Sequence, residues 1–467
     1  MLGLVTVGVL LRLYYLGQPM RYDESVTYTQ FAAQPWATVV SSYTYPNNHV
    51  FHTVLVKVLA TTLGDAAWVL RIPAFIAGTA MIPLAFALGH RLFGMGAAYI
   101  GSALVASSGA LVLYSTNARG YTMVGAAVLA LATVVLRLRE QPSTKLWVAA
   151  VLVTAFGLWT VPIMLFPAGG VALWFALSAM QGDTKGGRAD VWRGALASVV
   201  TAAVTLLLYL PILNKSGFAA LAANAFVTPS TWILFFRQFV SSIEQTVGTW
   251  TLGIPAAVSV GLGFCAVIGV VNERRNAGLR VSMAGSVYVW CAFLLLVTHR
   301  APLPRIWLFL VAPLSLVAAH GLFRVLSHFA TFRQHVEPRA GAFSVVLAVA
   351  LAVGVVVSRD VVTSRDTGTL RDAEAVADVL SPRLRPGDRV IAPIPSNAVL
   401  AYYFVRAGID TSYLSSTPSD SSRLYVVVNT DEGYTLSTSL GRRALMRQFR
   451  GAQSIARYAS AEVYRLY

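Results

Sequence analysis

Charge is what this sequence has least of. Only 12% of its 467 residues are Asp, Glu, Lys or Arg, about half the share of an ordinary soluble domain, and just 20 are acidic. With 56% hydrophobic residues and a mean hydropathy of +0.64, that scarcity excludes a soluble globular chain and points to a polytopic helical membrane protein. Cysteine is nearly missing. Cys265 and Cys291 both fall inside apolar stretches, which reads as packing and excludes a disulfide framework. A glycine-rich phosphate loop is lacking too, because Pro386-Gly387-Asp388 is an ordinary turn signal. No repeat or low-complexity tract stands out, and no small-residue cleavage site follows the first apolar segment, so no cleavable signal is expected. The net charge of +16 would suit nucleic acid, but the basic residues are scattered between apolar segments. Dispersed Arg and Lys in short loops suit anionic lipid headgroups, and no nucleic-acid partner is expected.

What is there is a series of apolar runs. They read at about 2–17, 67–89, 96–113, 121–136, 146–161, 163–180, 194–213, 251–271, 283–298, 303–320 and 342–358, about 11 transmembrane helices in an all-α membrane region. The stretch His49 to Gly64 is short and carries His49, His52 and Lys57, so it either crosses the membrane or lies along it. Charge bias decides for lying along it. If it does not cross, the loops distal to Asp23 hold 13 basic residues against 8 on the other face, counted over the membrane region. The first loop, 18–66, then faces away from the cytoplasm and contains juxtamembrane helices.

Beyond residue 358 the texture changes. Residues 359–467 hold 14 of the 36 basic and 11 of the 20 acidic residues. The pattern predicts helices at Arg371–Leu380, Ala398–Ala407 and Leu440–Phe449, with strands at 389–393, 423–428 and 462–467. Two domains are expected: a transmembrane catalytic domain over 1–358 and a small α/β extracytoplasmic domain over 359–467.

Candidate chemistry emerges by elimination. The membrane region has nine acidic residues, and five of them (Glu140, Asp183, Asp190, Glu273, Glu337) fall in basic cytoplasmic loops, where solvated charge explains them. Asp65 reads as a cap for the following helix, and Glu244 belongs to an interfacial helix over 232–246. Asp23 and Glu24 remain, in Met20-Arg21-Tyr22-Asp23-Glu24-Ser25, where two carboxylates meet the end of a membrane helix. Such charges are costly to desolvate, so they either cap a helix or serve a wet cavity. Arg119, in Ser115-Thr116-Asn117-Ala118-Arg119-Gly120-Tyr121, is a lone cation in a short turn on the same face. Arg300 and Arg305, in His299-Arg300-Ala301-Pro302-Leu303-Pro304-Arg305, flank a two-proline turn. Guanidiniums beside an apolar wall suit a membrane-anchored phosphate, with snorkelling as the alternative. Tyr45-Pro46-Asn47-Asn48-His49 adds amides and an imidazole that could orient a sugar hydroxyl or join a metal. No His, Cys or Asp cluster has metal-ligand spacing.

These residues, in this order, resemble the GT-C superfamily, in particular the family-39-like membrane glycosyltransferases. Its members include protein O-mannosyltransferases, lipid A aminoarabinose transferases and, more distantly, bacterial oligosaccharyltransferases. The matching pieces are Tyr22-Asp23-Glu24, Tyr45-Pro46-Asn47-Asn48-His49, Leu70-Arg71-Ile72-Pro73-Ala74, His90-Arg91-Leu92-Phe93-Gly94, Tyr114-Ser115, Ala118-Arg119-Gly120-Tyr121 and Pro304-Arg305. The resemblance covers roughly residues 1–320. It implies a bacterial plasma-membrane enzyme of the cell envelope. That enzyme takes a sugar from a polyprenyl-phosphate donor and passes it to a protein, lipid or glycan hydroxyl on the extracytoplasmic face, with inversion. Carried over, Asp23 is the catalytic base or a metal-assisting carboxylate, and Glu24 tunes it. Arg119, Tyr121, Arg300 and Arg305 bind the donor and its phosphate, while Tyr22, Asn48 and His49 contact substrate. A divalent metal, Mg or Mn, would rest on Asp23 and His49. Some relatives carry a second acid in the 117–121 loop, where this sequence has none, which weakens the case for that metal.

The chemistry fits this division. An acceptor hydroxyl must lose a proton as the bond forms, which a semi-buried carboxylate can take, while a lipid phosphate leaves with help from cations rather than an acid. The expectation is that the carboxylate pair and the guanidiniums share one water-filled cavity at the outer leaflet. A lipid-linked-sugar transporter or flippase is the alternative, although the charges gather at one face and no inverted repeat is visible.

Overall fold

The computed structural model describes residues 1–222, 228–301, 303–414, 423–440 and 449–467, with side chains except those of 222, 275–277, 333 and 335. Every apolar run read above is helical. The helices are Leu2–Leu16, Ala67–Phe93, Met95–Ser107 with Gly109–Ser115, Tyr121–Glu140, Thr144–Thr160, Leu165–Met180, Ala189–Ala222, Ala256–Ala277, Met283–Thr298, Val311–Leu326 and Ala340–Ser358. Among the described residues seven helices are long and apolar enough to cross a bilayer, or eight if the pair bent by 54° at Ser108 is one span. Leu2–Leu16, Val50–Leu63, Thr144–Thr160 and Met283–Thr298 are apolar but shorter. At 1.5 Å per residue, Val50–Leu63 is roughly 21 Å long, less than the roughly 30 Å of hydrocarbon.

The described residues fall into two compact units. The first comprises Met1–Tyr15, Val40–His52 and Arg71–Val362. Its core is a continuous apolar cluster running from Leu4 and Leu11 through Met81, Leu111, Val124, Trp174 and Phe309 to Val355.

A cation sits inside that core. Arg12 is fully buried on the first helix and was not among the charges weighed from sequence. Its position follows from the bend at Ser108. Where Met95–Ser107 ends, the last-turn carbonyls lose their helical partners. Arg12 donates from Nη1 to Ala106 O at 2.9 Å and to Gly8 O at 3.0 Å, and from Nε to Ser115 Oγ at 3.1 Å. One guanidinium thus ties the first helix to both arms of the bent pair. A Cβ at Gly78 would overlap Ser115 Oγ, so this close approach requires glycine there. Arg12→Ala should leave these acceptors unsatisfied and cost about 3 kcal/mol or more. The expected result is a clearly lowered Tm in detergent, and an unchanged Tm would show that the arginine is not holding the bend.

Two carboxylates depart from the expectation of solvated loop charge. Glu273 and Asp190 are 1% and 0% exposed. Glu273 accepts from Ala284 N at 3.2 Å and from the Ser282 hydroxyl, satisfying the N-terminus of Met283–Thr298 from a neighbouring helix. Asp190 accepts from Gly186 N and pairs with Arg193, both at 3.0 Å. Backbone N–H groups at turns and helix starts donate strongly enough to hold a buried carboxylate, and a lone sequence cannot show which N–H groups will face it.

The second unit comprises Leu16–Val39, Thr53–Leu70 and Thr363–Tyr467. Its sheet has strands β1 (Arg389–Ile391), β2 (Leu424–Asn429), β3 (Ala452–Arg457) and β4 (Ala461–Leu466) in the order β1-β2-β4-β3. β1 pairs parallel with β2, and the other neighbours are antiparallel. All six residues of β2 are buried, as a central strand covered on both faces requires. The expected helices near 371–380 and 398–407 are found as Ala373–Leu380 and Ser396–Arg406. β3 was not anticipated, because Ala-Gln-Ser-Ile-Ala-Arg has little apolar alternation. The helix read at Leu440–Phe449 lies largely outside the described residues.

The 16–39 segment is stitched to the C-terminal residues. Tyr22 N donates to Gly368 O at 3.1 Å, Arg21 Nη1 to Ser364 O at 2.7 Å, and Met20 N to Tyr403 Oη at 3.2 Å. Gly368 has φ of 66°, and a Cβ there would stand 2.5 Å from Pro395 Cβ. Asp65, expected to cap a helix, turns its carboxylate to Tyr28 Oη at 3.2 Å and Arg406 Nε at 3.5 Å. Lys57 donates to Ala32 O and Gln34 O and lies 5.2 Å from the Trp36 ring, closing the turn that ends the short π-helix Tyr28–Ala32.

Candidate functional site

In the second unit, Asp23 and Glu24 occupy the first turn of the short helix Tyr22–Thr27, where acidic side chains suit the exposed N–H groups. Glu24 is fully buried, and its Oε1 accepts from the Arg21 N–H at 2.9 Å. It closes a capping box with Arg21, and so fixes the turn that presents its neighbour. Asp23 is 5% exposed, and its carbonyl accepts from Thr27 Oγ1 at 2.9 Å. Tyr22 is half-buried and anchored by its backbone N–H to Gly368.

In the first unit, Arg119 stands at the centre of a buried polar cluster. It is 2% exposed, and its Nη1 donates to Asn47 O at 3.2 Å. Its Nη2 lies 3.0 Å from His49 Nε2, while the Gly120 N–H donates to His49 Nδ1 at 2.8 Å. A neutral imidazole accepts at one nitrogen only, so these two donors compete for a single lone pair. The hold of His49 on Arg119 is therefore weak. Gly120 is needed here, since a Cβ would sit 2.5 Å from Thr160 Cγ2 and 3.2 Å from His49 Nδ1. Tyr121 opens the helix Tyr121–Glu140 and is packed on both neighbours. Its ring is 4.9 Å from that of His49, edge to face, and 5.6 Å from the Arg119 guanidinium. Asn48, 1% exposed, donates from Nδ2 to Ser42 O at 2.8 Å and closes the loop that carries His49.

Arg305 is half-buried at the start of Pro304–Leu310 and within electrostatic reach of His49. Arg300 is half-buried beside His299, which ends Met283–Thr298 in the left-handed region at φ 48° and packs its ring 3.9 Å from Trp232. The first unit thus gathers Asn47, His49, Arg119 and Tyr121. Sequence reasoning passed over His52, fully buried and within electrostatic reach of Arg119 and His49. Its position three residues after His49, at the first turn of Val50–Leu63, was the available signal, since residues three apart share a helix face.

Burial first, then Arg119, keeps these imidazoles neutral. The His49 pKa falls well below 6.5, lowered further by His52 and Arg305, and that of His52 drops to about 3. The unfolded chain takes up both protons near pH 6.5 and the folded chain does not. Stability is therefore complete above that pH and declines as pH falls through it, by about 1.4 kcal/mol per unit per histidine once well below. Thermal unfolding in detergent at pH 7.5 and 5.5 should show a lower Tm at the acid value, and a smaller drop in His52→Phe. Equal drops in the two proteins would contradict a neutral buried His52.

Both ring nitrogens of His49 already face N–H donors, and among the described residues no three His, Cys, Asp or Glu side chains gather to hold an ion.

No protein-family model matches the sequence, and no curated protein does. Solved structures do match. ArnT from Cupriavidus metallidurans, in the apo state and bound to undecaprenyl phosphate, superposes with a TM-score of 0.63 over 99% of this chain and 97% of its own, at 13% identity. The chain has the fold of ArnT. The archaeal oligosaccharyltransferase AglB from Archaeoglobus fulgidus, in complex with an inhibitory peptide and a dolichol-phosphate, matches at TM-score 0.53 and 12% identity, over 97% of this chain and 72% of its own. An Archaeoglobus fulgidus oligosaccharyltransferase complex with Zn and sulfate matches at 0.51 and 15% identity, over 82% and 56%. The fold shared with ArnT covers 99% of this chain, so the likeness extends through the small C-terminal sheet region.

Proposed function

We propose that this chain is a membrane glycosyltransferase that moves a sugar from a polyprenyl-phosphate donor to a hydroxyl acceptor on the extracytoplasmic face of a bacterial plasma membrane. The observation that carries the reading is the buried Arg119 cluster on the fold of a protein crystallised with undecaprenyl phosphate. In this reading eleven helices span the bilayer, with Val50–Leu63 lying along it. Residues 1–358 supply the catalytic region, and residues 359–467 form an extracytoplasmic domain.

The roles follow from charge and position. Asp23 takes the proton of the acceptor hydroxyl as its oxygen attacks the anomeric carbon, inverting it. Glu24 holds the turn that presents Asp23, acting through the Arg21 N–H. Arg119, with Arg300 and Arg305, receives the negative charge of the departing lipid phosphate, and Tyr121 and His49 pin the Arg119 side chain until donor arrives. Tyr22 and Asn48 shape the loops that meet substrate.

The test is release of bare polyprenyl phosphate from an undecaprenyl-phosphate sugar by the purified full chain, alongside mass spectrometry of surface glycans with and without the gene. Sugar-dependent release and the loss of one glycan species are expected. No release together with unchanged glycans would contradict the proposal.

A further inference from the structure

The cluster around Arg119 contains two side chains that the roles above do not use. His52 and Asn117 are both 0% exposed. Neither ring nitrogen of His52 has a hydrogen-bond partner among the described residues, and neither do the amide oxygen and nitrogen of Asn117. Buried polar atoms without partners are costly to keep, so they call for something that arrives later. Asn117 adjoins Arg119, whose backbone N–H donates to Asn117 O at 2.7 Å. His52, in turn, is within electrostatic reach of the guanidinium and of His49.

The chemistry of the pair selects its ligand. A neutral imidazole and a carboxamide each present one or more donors and acceptors and carry no charge, so neither is suited to hold a phosphate against competition from arginine. Groups that both donate and accept match hydroxyls. In a polyprenyl-phosphate sugar, hydroxyls sit on the ring joined directly to the phosphate. We propose that His52 and Asn117 form the sugar subsite of the donor, hydrogen-bonding ring hydroxyls next to the phosphate held by Arg119. This deepens, and rests on, the reading of the chain as a user of lipid-phosphate sugars.

The full chain in detergent is titrated with bare undecaprenyl phosphate and with undecaprenyl phosphate carrying mannose, glucose or arabinose. Wild type should bind at least one sugar-loaded lipid more tightly than the bare one. His52→Phe and Asn117→Leu should each reduce that gain about tenfold, the worth of one or two buried hydrogen bonds, and leave the affinity for bare lipid within about twofold. His52→Gln, which keeps a donor and an acceptor, should recover part of the gain. Removing unpartnered buried polar atoms should also leave Tm at pH 7.5 no lower than wild type, whereas a structural role predicts a fall. Equal loss of affinity for bare and loaded lipid, a lowered Tm, or wild-type binding of the loaded lipid by both variants would overturn the proposal. The last outcome would leave only buried water at these groups. A wild type that binds neither lipid would instead overturn the donor reading itself.

Discussion

Asp23→Asn should reduce sugar transfer by at least 10²–10⁴-fold, the usual worth of a positioned general base, and leave the protein folded. The substitution keeps the size of the side chain, but it removes the charge and the basic oxygen by turning one acceptor into an N–H donor. Glu24, not Asp23, closes the capping box with the Arg21 N–H, so the short helix Tyr22–Thr27 should survive. Affinity for undecaprenyl phosphate should hardly change, because the base acts on the acceptor. A flippase predicts something else, namely indifference to the loss of one proton-accepting group. Transfer at the wild-type rate by Asp23→Asn would remove Asp23 from the chemistry.

Arg119→Ala should have the next largest effect, and on a different quantity. Here donor affinity and turnover should fall together, with kcat down by about 10²–10³, the loss seen when one preorganised charge-stabilising group is removed. Arg119→Lys should recover little. The guanidinium uses Nη1 for Asn47 O and points Nη2 at His49, a fork that a single ammonium cannot reproduce. Stability should suffer modestly, since Asn47 O and the His49 ring lose a partner. Surface exposure cannot explain the arginine, because at 2% exposed it does not snorkel. A kcat loss confined to Asp23 variants, with Arg119→Ala binding donor normally, would separate the guanidinium from the phosphate.

The legible parts of this molecule were those written in composition and local period. Apolar runs located the helices, with ends such as those of 194–213, now Ala189–Ala222, off by up to nine residues, since helix satisfies its own N–H and C=O groups in hydrocarbon. Arg119 stood out as one cation in a short turn between apolar runs, and the fold buries it. What escaped depends on contacts between distant residues. Arg12 looked like one polar residue in an apolar run, and only the bend at Ser108, about a hundred residues later, supplies its acceptors. Glu273 and Asp190 sat in loops rich in basic residues, yet each is buried by N–H groups that no local pattern reveals. His52 was read as a mark against membrane crossing, and its kinship with Arg119 appears only when the two loops meet. Within the 18–66 loop, the Tyr22 N–H reaches Gly368 O and the Arg21 guanidinium reaches Ser364 O, a partnership across more than 300 positions that periodicity cannot encode.

The most direct measurement is a density map of the full chain with undecaprenyl phosphate bound in a lipid nanodisc. The account predicts the phosphate within hydrogen-bonding distance of the Arg119 guanidinium, with the His49 contact broken and Arg300 or Arg305 turned toward the same oxygens. A phosphate seated elsewhere, with Arg119 still held by Asn47 and His49, would contradict it.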